Sequence, residues 1–268
     1  MKKIVLNALL AVISLISLAP FYFLLVMTTQ NTENIFKGRM FWFGTHFAEN
    51  FRTILEGGFF RSFWNSAYIA VVTTVLCVLI CAMSGFALTK YEFKLKKPIM
   101  AFIVATIMVP GQIGMVGFLI EMRALDLNQT HWPLIISGLT NAFGVFWMVQ
   151  FMKTSLHTEL IESARVDGCS EPRIFAQIVL PVVTPALSTL SLLVFLGSWN
   201  NYLLPLIVIN KESLFTIPLS INALGNLYRT DYGARLTGLL VSVAPLIVIF
   251  ALNTKSFVRG LTAGAVKG

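Results

Sequence analysis

The sequence is poor in charge and in cysteine. Asp, Glu, Lys and Arg make up 12% of its 268 residues while 56% are hydrophobic, whereas a soluble globular chain carries about 25% charged residues. The three cysteines, Cys77, Cys81 and Cys169, are too few for a disulfide framework. Because no His or acidic residue stands near Cys77 and Cys81 to complete a metal site, no metal is expected. The composition predicts an all-α polytopic membrane protein.

The sequence also lacks the glycine-rich phosphate loop that ends in Gly-Lys-Ser or Gly-Lys-Thr, so it is not expected to bind ATP in the usual way. Its net charge is +8, but the Lys and Arg residues cluster beside apolar runs, a pattern that orients membrane segments. Nucleic-acid binding is therefore not expected. A membrane enzyme is an alternative, but the histidines His46, His131 and His157 fall in predicted loops, where a Ser-His-acid or His-metal group does not readily form.

Six apolar runs are long enough to cross a bilayer, which takes about 20 residues in a helix. They are Ile4–Met27, Phe63–Leu88, Ile99–Ile120, Trp132–Met152, Val182–Ile209 and Leu236–Leu252. None of them contains Asp, Glu, Lys, Arg or His. Proton- and sodium-coupled carriers depend on such residues inside the membrane, so a secondary transporter is disfavoured.

The distribution of lysines predicts the orientation of these spans. The short loop Thr89–Pro98 contains Lys90, Lys94, Lys96 and Lys97 close to two membrane ends, which places it on the cytoplasmic side. With six spans both termini are then cytoplasmic, and the polar stretch Thr28–Ser62 lies outside. The predicted divisions are an N-terminal span with an extracytoplasmic segment (1–62), a transmembrane core (63–257) with a cytoplasmic loop at 153–181, and a cytoplasmic tail (258–268).

The loop from His157 to Pro181 carries two helix signals in succession. Thr158 is predicted to cap a first short helix, which Gly168 stops by adopting a left-handed conformation. Ser170 is predicted to cap a second helix, with Glu171 in its first turn.

The first of these helices is predicted to be amphipathic. Leu160, Ile161 and Ala164 share one face, while Glu162 and Arg165 are spaced for an ion pair on the other. So small an apolar face suits docking in a protein groove better than anchoring in lipid. The alternative is a solvated amphipathic connector.

The loop resembles the EAA loop of the permeases of ABC importers. The matching positions are Glu162, Ser163, Ala164, Asp167, Gly168, Phe175, Ile178, Leu180, Pro181 and Pro185. Ser163 and Cys169 depart from the usual pattern, in which both are often Ala. The resemblance implies a six-helix permease of the type I importer architecture, in which this loop docks on an ATPase subunit. It assigns that contact to Glu162, Ser163, Ala164, Asp167, Gly168, Leu180 and Pro181.

The predicted spans contain uncharged polar residues and helix interruptions in place of charges. Trp199, Asn200, Asn201, Gln112 and Asn141 are candidates for a sugar path, because amides beside aromatic rings suit sugar hydroxyls. The interruptions are Pro110-Gly111, Pro205 and Pro245. Backbone freed by proline at membrane depth persists where protein or a wet cavity satisfies it. For each amide, a hydrogen bond between helices remains an equal alternative.

Two further segments narrow the resemblance to carbohydrate permeases of the maltose-transporter type. They are Trp199–Leu206 and the ending Phe257–Gly268. The resemblance implies a second permease chain, an ATPase dimer that binds ATP and magnesium, an extracellular sugar-binding protein and a bacterial or archaeal cytoplasmic membrane. A permease for phosphate esters or peptides is an alternative, because Arg61, Arg229 and Arg235 stand near the predicted outer mouth.

Overall fold

The computed structural model describes residues 2–225 and 230–265, with residues 2 and 251–265 as backbone alone, and this part of the chain is almost entirely helical. The helices are α1 (Lys2–Thr28), α2 (Thr32–Phe36), α3 (Phe47–Glu56), α4 (Phe59–Lys90), α5 (Lys96–Ile107), α6 (Met115–Ala124), α7 (Trp132–Leu139), α8 (Ala142–Ser155), α9 (Thr158–Val166), α10 (Glu171–Ile174), α11 (Leu180–Val182), α12 (Thr184–Trp199), α13 (Leu203–Val208), α14 (Ile217–Ala223) and α15 (Tyr232–Ala265). Short 3-10 turns lie at Gly111–Gly114 and Glu212–Leu214, and a π-helical turn at Phe175–Val179.

The chain divides into two compact units, Met1–Phe63 with Thr216–Pro245, and Trp64–Phe215 with Leu246–Gly268. In the first unit, the buried amide of Asn50 holds the C-terminal end of α1 by donating to the carbonyls of Thr28 and Gln30, at 2.8 Å each. Since buried polar groups are costly without partners, this pair of bonds fixes α3 against the end of α1.

The core of the second unit is formed by α4, α8, α9 and the segment from α10 to α12. Cys77 and Cys81 are fully buried in it beside Met148 and Met152. They act there as small core residues. Cys169 is half-buried and packs against the same cluster.

Four segments within the described residues are long and apolar enough to cross a membrane, and the number rises to six if each of two bent helix pairs counts as one span. The four are Lys3–Thr28, Phe59–Lys90, Trp132–Ser155 and Tyr232–Phe250, which match the first, second, fourth and sixth predicted spans. The bent pairs take the places of the third and fifth.

The third span is broken at the predicted Pro110-Gly111 interruption. The segments Lys96–Ile107 and Gly111–Ala124 meet at 92°, so the two parts do not form one helix. Proline cannot donate to a helical bond and disfavours the α conformation in the residue before it, and Pro110 itself is extended (φ −61°, ψ 122°).

The predicted span Val182–Ile209 is interrupted, but the break precedes Pro205, where the interruption was predicted, and Pro205 lies inside the helix that follows. A helix begins at Thr184, ends at Trp199 and resumes over Leu203–Val208. The side-chain oxygen of Asn201 accepts a hydrogen bond from the amide of Leu204 (3.4 Å), which favours a new helix start at this point.

Candidate functional site

The loop 153–181, which runs from the end of α8 to α11, contains the residues predicted to contact an ATPase. Its first helix, α9, begins one residue earlier than predicted. His157 occupies the N-cap position without a capping side-chain bond, and Thr158 is the first helical residue. The expectation that Thr158 caps α9 is therefore wrong, and its hydroxyl accepts a hydrogen bond from Lys90 Nζ (3.0 Å).

The end of α9 is as predicted. Gly168 has φ +78°, its amide donates to the carbonyl of Arg165 (3.0 Å), and the amide of Cys169 donates to the carbonyl of Ala164 (2.9 Å). These two bonds form a Schellman motif, which needs a left-handed residue that glycine supplies without steric cost.

The buried face of α9 is narrower than predicted. Ile161 and Ala164 are 1% and 6% exposed and belong to the core cluster, whereas Leu160 is 46% exposed. Leu160 therefore does not share their buried face. Consecutive helical residues point about 100° apart. Since only Ile161 and Ala164 of α9 are buried in the core, the side chain of Leu160, next to Ile161, points outward.

The outer face of α9 mixes carboxylates with apolar side chains. Val166 is 88% exposed, and Glu159, Glu162, Ser163 and Asp167 are exposed as well. Such a surface can bind a partner through both apolar and charge-assisted contacts.

The remaining predicted coupling residues lie in α9, at the turn after it and in α11. Gly168 and Pro181 are exposed, Leu180 is half-buried and Ala164 is buried. Pro181 comes shortly after the π-helical turn Phe175–Val179. A proline favours such a widened turn before it, because it lacks an amide hydrogen and its ring crowds the carbonyl four residues earlier. The helix pair Glu171–Val182 and Thr184–Trp199 then bends by 81°.

Arg165 does not pair with Glu162, contrary to the prediction. Its Nε donates to Glu171 Oε1 at 2.7 Å, and the hydroxyl of Tyr91 donates to Glu171 Oε2. The guanidinium group of Arg165 also lies 5.5 Å from the centre of the Tyr91 ring. Arg165 and Glu171 stand on either side of the Gly168 turn, and the reversal of the chain at that turn brings them together.

The surroundings shift the pKa of all three groups, and the hydrogen bonds from Arg165 and Tyr91 lower the pKa of the Glu171 carboxyl. Burial, followed by the hydrogen bond to Glu171, raises the pKa of the Tyr91 phenol. The hydrogen bond to Glu171 raises the pKa of the Arg165 guanidinium. Tyr91 therefore stays protonated and acts as a donor, and Arg165 stays charged.

Lys90 and Tyr91 were not predicted as site residues. Lys90 Nζ donates to the carbonyl of Leu156 as well as to Thr158, so it joins the end of α4 to the turn between α8 and α9. Tyr91 lies 80 positions before Glu171. Sequence spacing gives no signal for a contact over that distance.

A cavity of about 710 Å³ lies beside the breaks that interrupt the third and fourth spans. Its lining is uncharged: Ile103, Thr106, Ile107, Val109, Gly111, Ser137, Gly138, Leu139, Thr140, Asn141, Ala142, Phe143 and Val145. Asn141 caps α8, since its Oδ1 accepts from the amide of Gly144 (2.7 Å). Among the predicted path residues, Asn141 lines this cavity, and Gln112 is exposed next to the lining residue Gly111.

The other predicted path residues form a different group, at the break after α12. Trp199 is 3% exposed and stacks on Phe195 at 5.5 Å. The side-chain amide of Asn200 donates to the carbonyl of Leu196 (3.0 Å), and Asn201 Oδ1 accepts from the backbone amide of Leu204. Both asparagines thus bond to the helix ends on either side of them. They remain predicted path residues with an additional structural role.

Comparison with known proteins reveals extensive similarity. Residues 78–261 match the model of a family described as "Binding-protein-dependent transport system inner membrane component". The chain is 34% identical over 212 residues to the arabinooligosaccharides transport system permease protein AraQ of Halalkalibacterium halodurans, covering 79% of this chain and 76% of that relative. It is 32% identical over 273 residues to the lactose transport system permease protein LacG of Rhizobium radiobacter, covering 100% and 97%.

A solved structure shows the same fold. A chain in the crystal structure of a bacterial ABC transporter involved in the import of the acidic polysaccharide alginate superimposes with a TM-score of 0.80. The match covers 96% of both chains at 22% sequence identity. The predicted all-α membrane-permease architecture is confirmed by this likeness together with the family match.

Proposed function

Because the chain belongs to the family of binding-protein-dependent transport system inner membrane components, we propose that it moves a carbohydrate, a di- or oligosaccharide, through the membrane as a permease subunit of an ABC importer. It is a transport component and not an enzyme. The observation that carries the choice of carbohydrate is the similarity to LacG, a lactose permease by its name, over nearly the whole of both chains.

Membership in this family implies an ATPase and a substrate-binding protein as partners. We propose that the complete importer also holds a second, different permease chain above a dimer of ATPase subunits, with an extracellular sugar-binding protein delivering the cargo. In this assembly ATP and magnesium bind to the ATPase subunits, and this chain needs no cofactor of its own. Its other partner is membrane lipid, and it binds no nucleic acid.

The contact with the ATPase is proposed to be the outer face of α9 and its flanks. Exposed Glu162, Ser163, Asp167 and Val166 would meet the partner, while Ile161 and Ala164 tie the same helix to the core of the second unit. A push on the outer face then reaches the core directly, because close-packed interiors transmit displacement. ATP-driven closure of the ATPases would move α9 in this way and switch the access of the sugar path.

The sugar path is proposed to include the cavity beside Asn141. An uncharged lining with hydroxyls and an amide next to Phe143 suits a neutral sugar, which needs donors, acceptors and an apolar stacking face. The break between α7 and α8 supports this role, since interrupted helices at membrane depth commonly line a cavity.

The membrane is proposed to be the cytoplasmic membrane of a bacterium or archaeon, with both termini in the cytoplasm. The lysines of the Thr89–Pro98 loop support this orientation. Anionic cargo such as a phosphate ester is disfavoured, because the guanidinium group of Arg235 is already engaged by the carbonyls of Leu224 and Asn222. Arg61 is exposed, and Arg229 lies outside the described residues.

The function is tested by reconstituting the complete importer in proteoliposomes with its binding protein and supplying labelled lactose, arabinooligosaccharides and a control phosphate ester. We expect ATP-dependent accumulation of at least one sugar and none of the phosphate ester. Accumulation of the phosphate ester alone would overturn the carbohydrate assignment.

A further inference from the structure

The end of α4 is joined to the loop 153–181 at two places. Lys90 Nζ donates to the carbonyl of Leu156 and to the hydroxyl of Thr158. The carbonyl belongs to the residue that ends α8, and the hydroxyl belongs to the first residue of α9. A single ammonium group therefore holds the corner between these two helices.

The second connection is a cluster of Tyr91, Arg165 and Glu171. Both carboxylate oxygens of Glu171 are occupied, one by Arg165 Nε at 2.7 Å and the other by the hydroxyl of Tyr91. Arg165 closes the cluster by lying 5.5 Å from the centre of the Tyr91 ring. Because Arg165 belongs to α9 and Glu171 to α10, the cluster binds both helices to the residue that follows α4.

Tyr91 is itself held in place by the core. Its ring meets Phe86 edge to face, with centroids 5.5 Å apart, and Phe86 is 5% exposed and contacts Phe175 at 5.9 Å. The cluster is thus anchored on a side chain of α4 that cannot turn freely.

These contacts are partly exposed to solvent. The side chains of Arg165 and Glu171 are 38% and 43% exposed, and ion pairs in such positions contribute little to the stability of a fold. They do restrict geometry, because a carboxylate with both oxygens occupied allows few orientations of α9 relative to α10.

We propose that Lys90 and Tyr91 are positioning residues that fix α9 and α10 to the end of α4, so that a displacement of α9 moves α4 with it. This inference rests on the proposed function, since it assumes that the ATPase displaces α9. It assigns to Lys90 and Tyr91, with the Arg165–Glu171 pair, a share in converting hydrolysis into transport that is separate from the contact with the ATPase.

The test is the number of ATP molecules hydrolysed per sugar imported, measured in proteoliposomes that contain the complete importer. Tyr91→Phe removes the hydroxyl and keeps the ring, and Glu171→Gln removes the charge. We expect each to raise the ratio about two- to tenfold, the range that follows from the loss of one hydrogen bond. Lys90→Met should act in the same direction, and Lys90→Arg, which keeps the donors, should restore the parent ratio.

Tyr22→Phe is the matched control, since it also removes a tyrosine hydroxyl that donates a hydrogen bond, in this case to the carbonyl of Phe41 (2.7 Å). The control should leave the ratio unchanged. A parent complex that imports no sugar would refute the proposed function and not this inference.

If the parent imports sugar and the variants keep its ratio, the positioning role is wrong. It is equally wrong if uptake and hydrolysis fall in proportion while the ATPase no longer co-purifies, because the residues would then serve assembly alone.

Discussion

Gly85 of α4 lies so close to Met148 of α8 that a β-carbon at position 85 would stand 2.7 Å from Met148 Cβ. The same holds for Gly144 of α8, whose β-carbon would meet the sulfur of Cys81 at 2.7 Å. The two helices therefore approach through glycines contributed by both partners. Small residues allow such approach in membrane helices, where dispersion contacts drive association.

Gly85→Ala is expected to destabilise the permease. Met148 Cβ is attached directly to the backbone and cannot rotate away, so the helices must separate, and overpacking of this kind costs about 1–3 kcal/mol. The measurement is the temperature at which the purified complex loses half of its monodisperse peak. Gly117→Ala in α6 is the matched control, because nothing lies within 4 Å of its added β-carbon. Equal temperatures for both variants would contradict the close contact.

Local signals in the sequence predict several elements correctly because their causes are local. Gly168 ends α9 since only a few neighbouring backbone groups decide a Schellman motif. Pro110 breaks the third span for an equally local reason, the missing amide hydrogen. The lengths of the apolar runs predict the existence of the membrane helices in the same way.

Other features depend on contacts that no spacing reveals. The Tyr91–Glu171 bond joins residues 80 positions apart. Arg165 pairs with Glu171 across the Gly168 turn, whereas helical spacing alone favours Glu162 as its partner. The break at Thr140 and Asn141 contains neither Pro nor Gly, so the sequence gives no signal for it. The structure shows it through the capping bond from the amide of Gly144 to Asn141 Oδ1. Leu160 is spaced from Ala164 as residues on one helical face are, but the packing of α9 against its neighbours decides which of these positions is buried.

The orientation of the chain gives the next prediction. A polar maleimide should label Lys94→Cys from the cytoplasmic side alone, and Gly38→Cys and Lys211→Cys from outside, because the lysine-rich loop is retained inside. The assay compares intact cells with inverted vesicles. The background needs Cys169→Ala, since Cys169 is half-buried, whereas Cys77 and Cys81 are fully buried. Labelling of Lys94→Cys in intact cells would reverse the topology and remove α9 from reach of a cytoplasmic ATPase.

Gly168→Val is expected to separate ATP hydrolysis from transport. A non-glycine residue in the left-handed conformation costs roughly 1–2 kcal/mol, and a β-branched one is worse, so the turn that brings Arg165 to Glu171 should distort. Sugar uptake should fall several-fold while binding-protein-stimulated hydrolysis persists. Gly168→Ala should be milder.

Gly38→Val is a close control for this variant. Gly38 has φ +77° with nothing within 4 Å of an added β-carbon. Its amide and that of Arg39 donate to Ile35 and Asn34 in the same Schellman arrangement. The two substitutions should therefore strain the backbone equally, and only the one at Gly168 should uncouple. Uncoupling by both, or by neither, would refute a special role for the α9 turn.

The last prediction separates the two roles of Asn141, which caps α8 and lines the uncharged cavity. Asn141→Ala loses the cap, a cost of about 1 kcal/mol, together with the amide facing the cavity. Asn141→Asp keeps a capping oxygen, and a carboxylate is favoured at a helix N-terminus, but it places a charge in a lining that has none. If the cavity carries a neutral sugar, both variants should lower the rate of uptake at saturating binding protein, and Asn141→Asp should do so without lowering thermal stability.

Asn31→Ala is the control for the loss of a cap alone. It removes the equivalent cap of α2, in which Asn31 Oδ1 accepts from the amide of Asn34 at 2.9 Å. Parent-like uptake by Asn141→Asp would remove this cavity from the sugar path and leave Asn141 as a structural cap.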